Sequence, residues 1–512
     1  MATRLGVIWH SDGVGTALSH MPLLPATAIG NFRVDVLVLG ALLMAGALAS
    51  GIVRRSFLSL AAGFVLAGFV LGHGGLGVLR FDARSGFVAD LATVALIVIL
   101  FRDGLEVDAE MLQEHWHLPF RKLVLAMPLT AAIVALTARL LTSLSWTECF
   151  LLGALLSPTD PVLSSGVVNN PRVPRIVRHS LNLESGLNDG LALPAVLALA
   201  AVLGAGGGHF VWWRFVLQDV TIGLGTGLLV GLLASRLMPR EGSPAGKRYG
   251  NRAGRRDESR TGRRRESGER SLQGGIPAHQ KSLYALGTAF AAYGIAVLPP
   301  HGNGLIAVYV AAITLGIRRP DIRAYFARQA EDLVEIVKLG IFVVFGSLLT
   351  LHGLFGGGWA AVTIAAIVLL VARPVAVFAA LTGTATDAVT RGFMAWFGPK
   401  GVSTMTFSLL ILSDRIASAT RIFNLAALVV LFSVIAHGVT DTAGSEWIAR
   451  RSERRSAREQ RAPAKAQGAG ASGAGASGTG SAGTGSAGTG SAGTGSAGTG
   501  SAGTGSAPQP DQ

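Results

Sequence analysis

Charge is scarce in this sequence, and so is cysteine. Asp, Glu, Lys and Arg make up 14% of the 512 residues, where a soluble domain carries about 25%. Half of the residues are hydrophobic, and the mean hydropathy is +0.48. The apolar residues fall in runs of the roughly 20 residues that cross a bilayer, so the bilayer is the solvent that matters. A single cysteine, Cys149, excludes an intramolecular disulfide and any zinc or iron–sulfur centre built from cysteines. The stretch from Met1 to Asn31 lacks the charged segment and apolar core of a cleaved signal peptide, and the first membrane helix is expected to act as the insertion signal.

Several signatures of chemistry are missing too. There is no HExxH and no TVGYG-like filter. The nearest phosphate loop, GSPAGKR at 242–248, is one residue short and has Arg after Lys. A GVST at 401–404 has no deep histidine in the spans read beside it. These absences argue against a membrane protease, a filter-type channel and an ATP-driven pump. The chain is read as no enzyme, needing no cofactor, with an ion gradient as its energy source.

What is present is a ladder of apolar runs. About thirteen spans are read, starting near Phe32, Phe57, Phe87, Pro119, Thr147, Ser180, Arg214, Ser282, Gly304, Asp332, Gly356, Thr386 and Ile422. The net charge of +14 would suggest nucleic acid on a soluble protein. Here the basic residues lie between spans, so orientation explains them and no nucleic-acid partner is expected. They are Arg54-Arg55, Arg121-Lys122, Arg172, Arg175 and Arg178, the stretch 236–281, Arg318 to Arg328, and the tail from Arg450. All follow odd-numbered spans, which places these loops in the cytoplasm, the N-terminus outside and the C-terminus inside the cell membrane.

The expected layout is an all-α polytopic membrane protein. An extracytoplasmic segment covers 1–31, and the first half of a transporter domain covers 32–239. A basic loop at 240–281 is expected to be disordered. The second half covers 282–442. The tail, 443–512, is basic and then repeats GTGSA, a composition that behaves as flexible coil. Two halves of about six helices each suit inverted repeats with two broken helices crossing near the midplane.

Ionisable residues at membrane depth are costly and mark function. In LLGALLSPTDPVLSSGVV, 151–168, Pro158 and Pro161 flank Thr159 and Asp160. Two prolines should break the helix and free backbone groups for an ion. An ordinary proline kink would not explain the aspartate. In LNLESGLNDGLALPAVLAL, 181–199, the pairs Glu184/Asn188 and Ser185/Asp189 each lie along one helical face. Asp189 and Ser185 can present oxygens to one site, with Glu184 about 100° around the helix. Arg373, inside an apolar span before Pro374, needs a buried anion. Glu184 is the candidate and Asp160 the alternative. In WFGPKGVSTM, 396–405, Gly398, Pro399 and Gly401 weaken a helix around Lys400. This is read as the second broken helix, with a simple loop at the mouth of the span as the alternative.

These pieces resemble the sodium/proton exchanger superfamily, in its NhaP-type branch of monovalent cation/proton antiporters. The matching stretches are FRDGLEVD at 101–108, SPTDPV at 157–162, ESGLNDG at 184–190, HGNGLIAVYVAAITLG at 301–316, ARPVAVF at 372–378 and FGPKG at 397–401. The resemblance implies that Asp189 alternately holds the cation and a proton. Thr159, Asp160 and Ser185 would help to form a site for the transported ion, sodium first, with Thr159, Ser185 and Asp189 as its ligands. It further implies that Glu184 pairs with Arg373. Asn188, where the electrogenic branch has a second aspartate, implies electroneutral exchange of one cation for one proton, serving pH and sodium homeostasis. A homodimer is also implied. The basic 240–281 loop and the repeat tail depart from the family, and no ligand-sensing module is read there.

Overall fold

The structure is a computed structural model. It describes residues 60–107, 117–160, 165–168, 170–204, 215–239, 278–298, 301–329, 331–413 and 416–471, with isolated positions between 37 and 44. The first span from Phe32, Pro161, most of the 240–281 loop and the repeat tail lie outside them. The contact pattern divides the chain into Met1–Glu453 and Arg454–Gln512, and the site lies within the first unit.

Among the described residues every regular element is helical. The helices are α1 (Leu60–Leu71), α2 (Gly86–Glu106), α3 (His117–Leu141), α4 (Trp146–Leu156), α5 (Ser165–Val168), α6 (Arg175–Gly204) and α7 (Ile222–Leu237). They continue with α8 (Ala278–Val297), α9 (Gly304–Arg318), α10 (Pro320–Gln329), α11 (Glu331–Ser347), α12 (Leu351–Phe355), α13 (Gly358–Ala380), α14 (Ala388–Trp396), α15 (Val402–Ser413) and α16 (Ala419–Ala471). Helices begin within a few residues of every start read from Phe57 onward. Five have the length and composition to cross a membrane, namely α3, α6, α13, α16 and the helix Gln218–Leu237, which includes α7. Two boundaries differ from the sequence reading. Helix α8 begins at Ala278, inside the basic loop, because Lys281 is fully buried there. Helix α16 continues past Thr442, since the Ala, Arg and Glu that follow are strong helix formers.

Large apolar side chains remain on the outside: Leu140 is 74% exposed, Leu237 73% and Trp359 72%. Water would penalise such a surface, whereas hydrocarbon accepts it. Inside, small residues bring helices together. A Cβ on Gly227 or Gly231 of α7 would meet the backbone of Ala307 or Ala311 on α9. Two hydrophobic clusters result. The larger draws on α1, α2, α4, α9, α11, α15 and α16. The smaller gathers Leu118, Val177, Ala376, Phe393 and Ile448.

Three widened turns occur among the described residues: one, Phe215–Thr221, leads into α7, and the other two lie within helices ahead of a proline. In α3 the turn covers Lys122–Ala126, and in α13 Val368–Ala372. The sequences KLVLAMP and VLLVARP explain these two: proline has no amide hydrogen to donate, and its ring clashes with the carbonyl four residues earlier. The turn ahead of Pro128 and of Pro374 therefore opens to the wider π spacing. Lys122 begins one such turn and Arg373 directly follows the other, and the two segments pack together.

Candidate functional site

Two helices are interrupted inside the protein. Helix α4 stops at Leu156, where Pro158 cannot continue it, and residues 157–160 run on without helical structure. Helix α14 stops at Trp396, and residues 397–401 form a buried non-helical stretch before α15. FGPKG is thus buried within the protein, in the break between the two helices. The breaks touch: the Asp160 amide donates to the Pro399 carbonyl at 2.9 Å.

Each break leaves helix-end groups without an intrahelical partner, and the other break satisfies them. The Val402 amide, at the start of α15, donates to Asp160 Oδ2 at 2.7 Å. At the end of α4, Lys400 Nζ donates to the carbonyls of Ser157 (3.1 Å) and Pro158 (2.9 Å), and Thr404 Oγ1 to that of Leu155 (3.1 Å). A carboxylate at a helix start and an ammonium at a helix end also suit the two helix dipoles. The glycines permit the approach. A Cβ at Gly401 would strike the Asp160 carboxylate, and one at Gly398 would strike the Arg373 guanidinium.

Helix α6 lies against the breaks and presents its polar residues in three directions. Ser185 Oγ donates to the Thr159 carbonyl at 2.8 Å. Asn188 Nδ2 donates to the same carbonyl at 2.7 Å and to Thr159 Oγ1 at 3.0 Å. Asp189 accepts a hydrogen bond on Oδ2 from the Ser403 hydroxyl. Glu184 points elsewhere: Oε2 meets Lys122 Nζ at 2.6 Å and Oε1 meets Arg373 Nη1 at 2.9 Å. Thr159, Asp160, Glu184, Ser185, Asn188 and Asp189 are each 5% exposed or less. Two oxygens among them, Asp189 Oδ1 and Asn188 Oδ1, are buried with no hydrogen-bond partner.

The structure therefore brings Thr159, Asp160, Ser185, Asn188 and Asp189 to one place, with Glu184 and Arg373 paired beside it and Pro158, Gly398 and Lys400 in the breaks. Three residues were not singled out from sequence. Lys122 shares Glu184 with Arg373. Ser403 holds Asp189. Asp103 of α2 is one of the charges acting on Asp189, with Asp160 and Lys338. Two signals pointed that way: FRDGLEVD sets a carboxylate in an apolar helix, and Glu184 has two oxygens to satisfy. The expectation of no deep histidine near GVST is corrected. His437 is 3% exposed, because its ring nitrogens face the Ser433 and Trp396 carbonyls at 2.8 Å. Ser403 bonds Asp189 instead. No group of three or more His, Cys, Asp or Glu among the described residues is arranged to hold a metal ion.

A family model described as "Sodium/hydrogen exchanger, transmembrane" matches residues 39–240 and 269–443. The chain belongs to the sodium/hydrogen exchanger family, in its NhaP-type branch. This is a family of membrane transporters, not of enzymes. A K(+)/H(+) antiporter NhaP of Alkalimonas amylolytica is 23% identical over 437 residues, 85% of this chain and 70% of that protein. A K(+)/H(+) antiporter NhaP2 of Shewanella sp. (strain MR-4) is 24% identical over 417 residues, 80% of this chain and 66% of its own length. The chain thus spans about two thirds of the curated relatives it matches. The solved structure of the sodium proton antiporter MjNhaP1 from Methanocaldococcus jannaschii superposes with a TM-score of 0.65 at 17% identity, covering 82% of this chain and 99% of that one. At that identity the likeness speaks for the fold.

Proposed function

We propose that this chain is a secondary antiporter of the cell membrane that exchanges a monovalent cation for protons at Asp189. The observation that carries the reading is the pair of buried, partnerless oxygens, Asp189 Oδ1 and Asn188 Oδ1, beside the interrupted helices. Burying a polar atom without a partner costs free energy, and a hard cation takes oxygen ligands. Asp189, Asn188, Ser185, Asp160 and the Thr159 carbonyl supply such oxygens.

In this reading cation and proton compete for Asp189. Either load neutralises the carboxylate, and a loaded carrier can reorient through the low-dielectric core, whereas the empty anion pays the desolvation penalty of an exposed charge. That asymmetry couples the two fluxes, with one part of the protein rocking against the other in alternating access. The Lys122–Glu184–Arg373 triad steadies α6 and does not bind the cargo. Asn188 at the position beside Asp189 favours one cation per proton, because only one carboxylate of α6 is left facing the site. Sodium, potassium and lithium are the candidate cargoes. The resemblance to sodium/proton exchangers favours sodium, while the two curated relatives named above are potassium antiporters. The basic loops put the C-terminus in the cytoplasm, and the family resemblance implies a homodimer.

The test is exchange in liposomes that hold a pH-sensitive dye. With a pH gradient imposed and the voltage clamped, sodium, potassium or lithium is added outside. Cation-dependent proton movement that ignores voltage is the expected result. Movement that follows voltage would remove the one-for-one stoichiometry and leave the antiporter. Proton movement with none of the cations would end the reading.

A further inference from the structure

Helix α11 carries a lysine where its neighbours along the same face are apolar. Val334, Lys338, Ile341 and Phe345 recur at helical spacing, and all are 4% exposed or less. A lysine is almost never fully buried unless it is paired. Lys338 makes no hydrogen bond or ion pair within 4 Å to any described residue, unlike Lys122, Lys281 and Lys400, the other buried lysines. Its helix packs against α2, which carries Asp103, and against α15, which carries Ser403, the partner of Asp189. The Lys338 ammonium is one of the charges acting on both Asp103 and Asp189. Arg102, the nearest cation to Asp103, is 3.8 Å from it and is also engaged by Glu106 at 3.0 Å. Lys338, on a helix packed against both α2 and α15, thus brings a positive charge near the carboxylates of the cargo site without closing an ion pair with either.

We propose that Lys338 is a tethered competitor for the cargo site: its ammonium stays in the field of Asp189 and Asp103, opposes an arriving cation, and so sets the cation concentration at which exchange half-saturates. The argument rests on the antiporter reading above and adds a residue to it. A fixed positive charge at this range weakens the hold on a second one by Coulomb repulsion that the low-dielectric surroundings screen poorly. When the cargo leaves, the same charge stabilises the emptied carboxylates, so release is favoured as binding is weakened. Lys338 touches neither cargo nor proton in this scheme and is a specificity-determining residue for affinity. The charge, rather than any particular hydrogen bond, carries that role.

The test uses the full chain, purified and reconstituted as wild type, Lys338→Gln, Lys338→Met and Lys338→Arg. Initial exchange rates are measured against sodium and against potassium, with choline chloride holding ionic strength constant. Removing the charge is expected to lower the apparent KM for the cation on the order of tenfold, with no matching rise in the maximal rate. Lys338→Arg, which keeps the charge, is expected to stay near the wild-type KM. An unchanged KM in both neutral variants would overturn the proposal, as would an arginine variant shifted as far as the glutamine one. Stabilisation of the detergent-solubilised variants against heat, titrated with sodium or potassium chloride, reads the same shift without transport. It therefore separates a failure of this inference from a failure of exchange itself, and remains usable with Lys338→Met and Lys338→Arg should Lys338→Gln not fold.

Discussion

Asp160 and Lys400 cap each other's helices. Asp160 sits in the break after α4 and accepts the first free amide of α15 at 2.7 Å, while Lys400 sits in the break before α15 and reaches two carbonyls at the end of α4. The two charges are complementary to the dipoles of opposite helix ends, but their substitutions should not be equivalent. Lys400→Met removes the donor from two buried carbonyls, each worth about 1–3 kcal/mol when stranded. Asp160→Asn keeps an oxygen for Val402 and gives up only the charge, worth up to ~2 kcal/mol at a helix start. Thermal unfolding in detergent should show Lys400→Met clearly less stable than Asp160→Asn. The reverse order would mean that these contacts do not hold the crossing.

Glu184 offers a second comparison. It is the one anion between Lys122 and Arg373. Glu184→Gln leaves two buried cations uncompensated, and breaking such a group from its central member costs about 3–5 kcal/mol. Lys122→Met leaves Glu184 with Arg373 at 2.9 Å and replaces a buried ammonium by an apolar group of similar length, so its loss should be the smaller. Protein yield and melting temperature check the order. If Lys122→Met is the worse of the two, then the lysine matters through the Ser180 carbonyl it also reaches at 3.1 Å.

The pattern along α6 was legible because periodicity alone separates Glu184 from Ser185 and Asp189, and the structure sends them to different neighbours. The breaks were legible because proline and glycine act locally. Lys122 was not. It follows Arg121 in a basic stretch, and the rule that reads such stretches as cytoplasmic loops accounts for both, whereas the structure buries Lys122 against Glu184 and the Ser180 carbonyl. Ser403 and Lys338 were hidden for another reason. Which residue of one helix meets Asp189 of another depends on packing across more than 140 positions of sequence, and nothing local encodes it. Helix α16 runs past Thr442 and Ala443, where the transporter domain read from sequence and the family match respectively end, because helix propensity does not stop at the last apolar residue.

The glycines of the second break give a test by addition. At Gly401 a new Cβ would run into the Asp160 carboxylate, and at Gly398 into the Arg373 guanidinium. Gly186 of α6 is a control, since its nearest neighbour, the Asp103 carbonyl, is 3.7 Å from a Cβ placed there, an ordinary contact. Gly401→Ala and Gly398→Ala should each lower exchange by more than about tenfold, the scale of a 1–3 kcal/mol overpacking penalty placed on the site. Gly186→Ala should stay within about twofold, because alanine favours the helix. Uniform tolerance across the three, measured as proton flux per reconstituted protein, would show that the breaks separate during transport.

Asp189 and Ser403 separate the cargo carboxylate from its support. Asp189→Asn preserves volume and leaves an oxygen to accept from the Ser403 hydroxyl, so the protein should fold and elute as the wild type does. An amide can hold neither a proton nor the charge that attracts a cation, and exchange should vanish together with thermal stabilisation by sodium or potassium. Ser403→Ala leaves the carboxylate intact and removes one hydrogen bond to a charged group, worth about 1.5–3 kcal/mol. That is about a 10- to 150-fold weakening at most, so exchange should persist at a measurable rate. The pair is informative because a defect of folding would affect both variants, whereas loss of the cargo site affects only Asp189→Asn. Exchange that survives in Asp189→Asn would move the site to Asp160 or Asp103, the other carboxylates acting on the same position.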